Sequence, residues 1–81
     1  MSKQELFTLA QSQIHQPSQL SIHQTSDGIQ LNDQNQTVAN IDTHGNLSNY
    51  DPSEVIYEYP HKIQGEIRSV ITNLVMTIKY K

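Results

Sequence analysis

Leu20-Ser21-Ile22-His23-Gln24-Thr25-Ser26-Asp27-Gly28-Ile29-Gln30-Leu31-Asn32 is the stretch that decides the fold. Leu20 and Ile22 alternate with Ser21 and His23, and Ile29 and Leu31 alternate with Gln30 and Asn32. A period of two puts each set of side chains on its own face of a strand, so both runs read as half-buried strands. Ser26-Asp27-Gly28 supplies the turn between them, because glycine tolerates positive φ and aspartate bonds its own backbone. A third strand, Thr37 to Thr43 with Ala39 and Ile41 on one face, follows the polar loop Asp33 to Gln36. His44-Gly45-Asn46 reads as another tight turn, leading into a short strand from Leu47 to Tyr50. The four runs make an antiparallel meander.

Helical signals flank the meander. Ser2 and Glu5 have the spacing of a capping box, in which a hydroxyl and a carboxylate satisfy backbone N–H groups at a helix start. Leu6, Phe7, Ala10 and Ile14 then recur at helical spacing, and Pro17 closes the segment because the residue before a proline is pushed out of the α region. Asp51-Pro52-Ser53-Glu54 opens a second helix with a capping carboxylate, a proline at the first helical position and an acid in the first turn. Pro60 interrupts it, so a short helix over 52–58 and a longer one from about 60 to 79 are expected. In the longer one Ile63, Ile67, Val70, Ile71, Leu74, Val75 and Ile78 share a face, opposite Lys62, Glu66, Ser69 and Asn73. Residues 70–80 are rich in β-branched types and also fit a period of two. The helical reading accounts for Ile63, Ile67, Ile71 and Val75 together, whereas a strand would turn Ile71 and Val75 away from the rest.

The pattern predicts a single α+β domain over residues 1–81, an α-β-β-β(-β)-α chain whose sheet is covered on one face by the two terminal helices. Eighty-one residues with 35% apolar content suit one domain with one modest core. The chain has no cysteine, which removes disulfides, thiolate metal sites and cysteine nucleophiles, so help for so small a core is expected from self-association. Neither a leader-like apolar run nor a membrane-length one occurs, and a cytoplasmic protein is expected; the sequons at Asn35 and Asn46 then carry no weight. Ten glutamines and six asparagines occupy the polar phase of a patterned sequence and read as an uncharged polar surface rather than low complexity.

The net charge of −3 is unevenly spread: before Pro60 only Lys3 opposes seven acids, while from Pro60 onward Lys62, Arg68, Lys79 and Lys81 oppose Glu66 alone. Four cations dispersed along one helix are too dilute for a nucleic-acid footprint, so no nucleic-acid partner is expected.

Enzyme chemistry finds no foothold. Gly28, Gly45 and Gly65 are isolated, which removes the phosphate loop and the dinucleotide fingerprint, and no G-x-S-x-G element is present. Asn32 to Asn35 lacks the glycine and terminal glutamate of a calcium loop. Glu54, Glu58 and His61 have i, i+4, i+7 spacing, and Glu58 to His61 matches a Glu-x-x-His pair. Pro60 inside that pair spoils the helical geometry and no second pair exists, so neither a metal nor any other cofactor is expected. Asp42 and His44 would present a carboxylate and an imidazole on one strand face, again without the partners zinc needs.

What remains is surface. Met76 and Tyr80 form an i, i+4 pair off the core stripe, and Tyr57 and Tyr59 sit beside Glu54 and Glu58. These four are the expected partner-binding residues of a non-enzymatic, protein-binding module, by its size a candidate homodimer. Small size, an acidic body and no catalytic motif also suit an inhibitor of a host system carried by a phage or mobile element, an expectation by association alone. A structural component assembling through sheet-edge pairing is the alternative from another class, and a small metal-dependent protein a third.

Overall fold

At the amino end, Ser2 Oγ accepts the Glu5 N–H at 3.1 Å and Glu5 Oε1 accepts the Ser2 N–H at 3.3 Å, closing the capping box. The computed structural model, described over residues 1–80, begins its first helix there: α1, Lys3–Gln13, packs Leu6 and Ala10 with no solvent contact. It stops short of Pro17 because Ile14 leaves the helical region and turns its own side chain into the core. Four strands follow in sequence order as one antiparallel sheet: β1 Leu20–Gln24, β2 Gly28–Asp33, β3 Gln36–Asp42 and β4 Leu47–Ser48. Two helices complete the chain, α2 Pro52–Glu58 and α3 His61–Lys79, giving the expected single α+β unit.

The register pairs Ile22 with Leu31, Leu31 with Ala39 and Ile29 with Ile41, so these side chains share the face on which α1 packs. Between Leu31 and Asn32 the register shifts, because Leu31 pairs with Ala39 but Asn32 with Thr37. The extra residue of this bulge is Val38, which lets two successive residues of β3, Val38 and Ala39, both be buried. Strict alternation does not reveal this. β4 ends at Ser48 rather than Tyr50, since Asn49 takes φ 55° and swings the chain toward α2.

Residues 70–80 are helical. Ile63, Ile67, Val70, Ile71 and Leu74 are buried on one side of α3 in the same cluster as the sheet's apolar face, while Met76 and Tyr80 are exposed. Burying that stripe outweighs the strand preference of its β-branched residues, because one buried Ile or Leu is worth about 1.5–3 kcal/mol and the whole β-propensity scale spans only about 1.

Gly28 is not the positive-φ turn residue expected from its sequence context. The turn is closed by Thr25, whose N–H donates to the Gly28 carbonyl at 2.9 Å while its Oγ1 accepts the Gly28 N–H at 3.0 Å. Gly28 already belongs to β2, opposite Asp42, and a Cβ there would lie 2.2 Å from the Ile41 carbonyl oxygen. Close backbone approach requires the glycine. Gly65, by contrast, faces open space in the middle of α3. Gly28→Ala is expected to lower stability by about 3 kcal/mol or prevent folding, and Gly65→Ala to raise it by about 0.5–1 kcal/mol. Urea unfolding followed by circular dichroism measures both; a neutral Gly28→Ala would contradict the close approach.

Candidate functional site

Asp42 ends β3 and organises the turn beyond it. Its Oδ1 accepts the His44 N–H at 2.8 Å and the Asn46 N–H at 2.9 Å, and its Oδ2 accepts Asn46 Nδ2 at 3.1 Å. These donors, the Asn46 N–H foremost, hold the Asp42 carboxyl below the usual aspartate range. Asp42 and His44 therefore do not form a side-chain pair on a strand face: the strand ends at Asp42, and His44 contributes its backbone. Gly45, at φ 85°, fits the turn against the side chains of Ile78 and Lys79, where a Cβ would lie 3.2–3.3 Å from them.

Pinned to α3 in this way, the turn delivers Leu47 to the rim of a cleft of about 310 Å³ lined also by Tyr50, Ile71, Thr72, Val75 and Met76. Leu47 and Met76 remain 40% and 54% exposed at its mouth. No charged side chain lines it. Its floor is the buried Ile71 and its rim is apolar, with the Tyr50 and Thr72 hydroxyls as its polar side-chain groups, a lining that suits an inserted apolar side chain.

The structure separates the four residues singled out in the sequence. Met76 lines the cleft, and Tyr80 lies one turn further along α3, 80% exposed. Tyr57 is 88% exposed on α2, next to Ile56. Tyr59 is not a surface contact: it is 7% exposed and packed in the core. Tyr59 ends α2 four residues after the buried Val55, so it falls on the core side of the helix, opposite Tyr57, where the chain turns extended ahead of Pro60. Leu47 and Tyr50 were missed because a single leucine in a two-residue strand and a tyrosine before a cap carry no periodic signal.

Burial, and then the charges of Asp33, Glu58 and Glu54, push the Tyr59 hydroxyl above its ordinary range. Asp33 stands on the core-facing phase of β2, opposite Leu20, and its Oδ1 is buried without a hydrogen-bond partner. Gln36 Nε2 donates to Glu58 Oε2 at 3.1 Å, and Gln64 Nε2 donates to the Tyr59 and Ile56 carbonyls, tying α2 to both neighbours.

Chemistry-bearing groups do not converge. Among the described residues no three His, Asp or Glu side chains approach closely enough to hold a metal, so Glu54, Glu58 and His61 are not brought together as a site. Ser21 Oγ and His23 Nε2 lie 3.5 Å apart on the open face of the sheet, both outside the cleft. Ser18 Oγ donates to Glu66 Oε1 and accepts the Leu20 N–H, which fixes the α1–β1 loop on α3. No helix among the described residues is long and apolar enough to cross a membrane.

The raised Tyr59 pKa has a testable sign. Folding favours the neutral phenol, so its contribution is complete below the unfolded tyrosine value near pH 10 and is lost as pH rises toward the higher folded one. Tyr59→Phe is expected to flatten the alkaline fall in stability while changing neutral-pH stability by less than about 1 kcal/mol; Tyr59→Ala should cost about 3 kcal/mol. Denaturant titrations at pH 7 and above 10 make the comparison, and an unchanged alkaline limb in Tyr59→Phe would contradict the burial.

Comparison with protein-family models, curated proteins and solved structures finds no match, so the geometry alone carries the functional argument.

Proposed function

We propose that this chain is a non-enzymatic protein-binding module that holds an apolar side chain of its partner in the cleft between β4 and α3. The observation that carries the reading is the uncharged cleft itself, with Leu47 and Met76 left exposed at its rim and Val75 half-buried beside them. Association is driven where a few apolar anchors meet a preformed pocket. Inhibition of a host system encoded by a phage or mobile element is one use of such a module. Acting inside the cytoplasm is part of the same proposal.

Leu47→Lys places a solvated charge at the mouth without touching the core. Affinity capture with the wild type and with Leu47→Lys as parallel baits is expected to yield a partner that the variant retains at least about tenfold less. A partner set unchanged by Leu47→Lys and Met76→Lys together would rule the cleft out.

A second reading, assembly through the sheet edge, is favoured by β1. The Gln34 N–H donates to the Gln19 carbonyl and the Thr25 N–H to the Gly28 carbonyl, so odd-numbered residues of this strand bond inward. Ile22 and Gln24 consequently direct their N–H groups away from the sheet, on an edge with no charge and no proline. Gln24→Pro removes one outward donor and is expected to abolish any edge assembly while the monomer stays folded, read by light scattering and circular dichroism. Assembly that persists in Gln24→Pro would end this reading.

A further inference from the structure

The two outer strands of the sheet are β1 and β4, and only β4 is protected against pairing. It is two residues long, and the positive φ of Asn49 turns the chain away directly after it. β1 runs for five residues in unbroken register with β2, with no lysine, acid, proline or bulge to discourage another strand. Its free outward donors are the N–H groups of Ile22 and Gln24, since the Leu20 N–H on the same side is already held by Ser18 Oγ at 3.1 Å. Above this edge, α1 packs over β1 and β2 alike. Two hydrogen bonds identify the flanks of α1: Gln13 accepts from Asn73 on the α3 side, and Gln4 accepts from Gln24 on the β1 side. At 100° per residue Gln4, Phe7 and Gln11 share the β1 flank. None is charged, and Phe7 is only partly buried.

We infer that the chain forms a two-fold dimer in which β1 pairs antiparallel with β1 of a second copy, Ile22 against Ile22, joining two four-stranded sheets into one. It rests on the sheet-edge reading above and names the occupant of that edge. In this register Leu20 to Gln24 of one copy lie against Gln24 to Leu20 of the other. Each Ile22 N–H donates to the other Ile22 carbonyl and each Gln24 N–H to the other Leu20 carbonyl, so every free outward donor of the strand finds an acceptor. A slip of one residue would set outward groups against inward ones. A slip of two shortens the overlap, and it either sets His23 on His23 or leaves the Gln24 N–H unpaired. The helices agree with the strands. Neighbouring strands stand about 4.8 Å apart, so α1, over the middle of β1 and β2, lies about 5 Å from the two-fold axis. The two α1 helices then run side by side about 10 Å apart, a packing distance, and the flanks that meet carry Phe7. Two layers each about 17 Å long make a small contact, which suits a dimer dissociating at micromolar concentration.

The chain has no cysteine, so engineered ones report the register without background. Ser21 and His23 of opposite copies would face each other on the polar side of the sheet with Cβ atoms about 5 Å apart, close to disulfide distance. Two copies of Ser21, or two of His23, would stand about 7–8 Å apart. Ser21→Cys and His23→Cys, each checked for folding by circular dichroism and oxidised as an equimolar mixture of full chains, are expected to cross-link at least about tenfold faster than either variant alone. Sedimentation equilibrium of the wild type should give a dimer that does not grow further with concentration, is lost in Gln24→Pro and is unchanged in Leu47→Lys, because the cleft lies elsewhere. A wild type that stays monomeric to millimolar concentration would overturn the dimer; a different captured protein that Gln24→Pro then loses would leave the edge reading standing with another occupant. Species larger than a dimer, as head-to-tail pairing of β1 with β4 would give, would overturn the two-fold arrangement. So would cross-linking of His23→Cys alone as fast as the mixture, or a dimer lost in Leu47→Lys.

Discussion

Everything in this molecule depends on the apolar face of α3 lying against the apolar face of the sheet. Ile67 and Leu74 on the helix and Ile29 and Leu31 on β2 have no solvent contact at all. A chain of 81 residues without cysteine has no cross-link to fall back on, so this contact stands in for one. It also decides local structure. Residues 70–78 include six β-branched side chains that favour a strand in isolation, and they are helical because only a helix presents Val70, Ile71 and Leu74 to the same partner as Ile63 and Ile67.

Fixing α3 fixes the surfaces around it. The Asp42 turn is held by its own carboxylate and by the seat of Gly45 on Ile78 and Lys79, so the position of Leu47 over α3 is inherited from the core rather than set by the two-residue strand β4. At the other end, Tyr59 and Pro60 both adopt extended conformations and separate α2 from α3. That break follows a helix whose core side carries Val55 and Tyr59 and whose outer side carries Ile56 and Tyr57. It also turns the charge asymmetry of the sequence into a spatial one, an acidic short helix joined to a basic long one.

The periodicities and caps made the architecture legible: period two from Leu20 to Asn32, the capping box at Ser2 and Glu5, and Asp51-Pro52 all name elements that the structure contains. What escaped them depends on contacts between strands rather than along one. The bulge at Val38 arises from the register of β2 against β3, and the need for Gly28 arises from the Ile41 carbonyl thirteen positions later. Tyr59 was misplaced for a different reason: grouping it with Tyr57 overlooked that it stands four residues after Val55, on the buried side of α2. Of the four residues picked out for binding, Tyr57, Met76 and Tyr80 are on the surface, and the cleft's other rim residue, Leu47, carried no pattern to notice.

A domain this small leaves little apolar area to spare, and that gives its exposed residues a meaning they would lack in a larger one. Leu47, Ile56, Tyr57, Met76 and Tyr80 are together outside the core, while the interior is completed by residues as small as Ala10 and Ala39. Scattered singly, such residues need no explanation. Here, Met1 apart, the exposed large apolar side chains of the described residues fall on β4 (Leu47), α2 (Ile56 and Tyr57), α3 (Met76) and its C-cap (Tyr80), and none lies on the open face of the sheet, where Ser21, His23, Gln30 and Asn40 present polar groups. The sheet carries one apolar face and spends it on the core. The helical side of the molecule carries apolar residues on both the inner and the outer surface, and the outer ones sit among charges sorted by sign. A surface that only had to stay solvated would gain from mixing those charges and thinning those side chains.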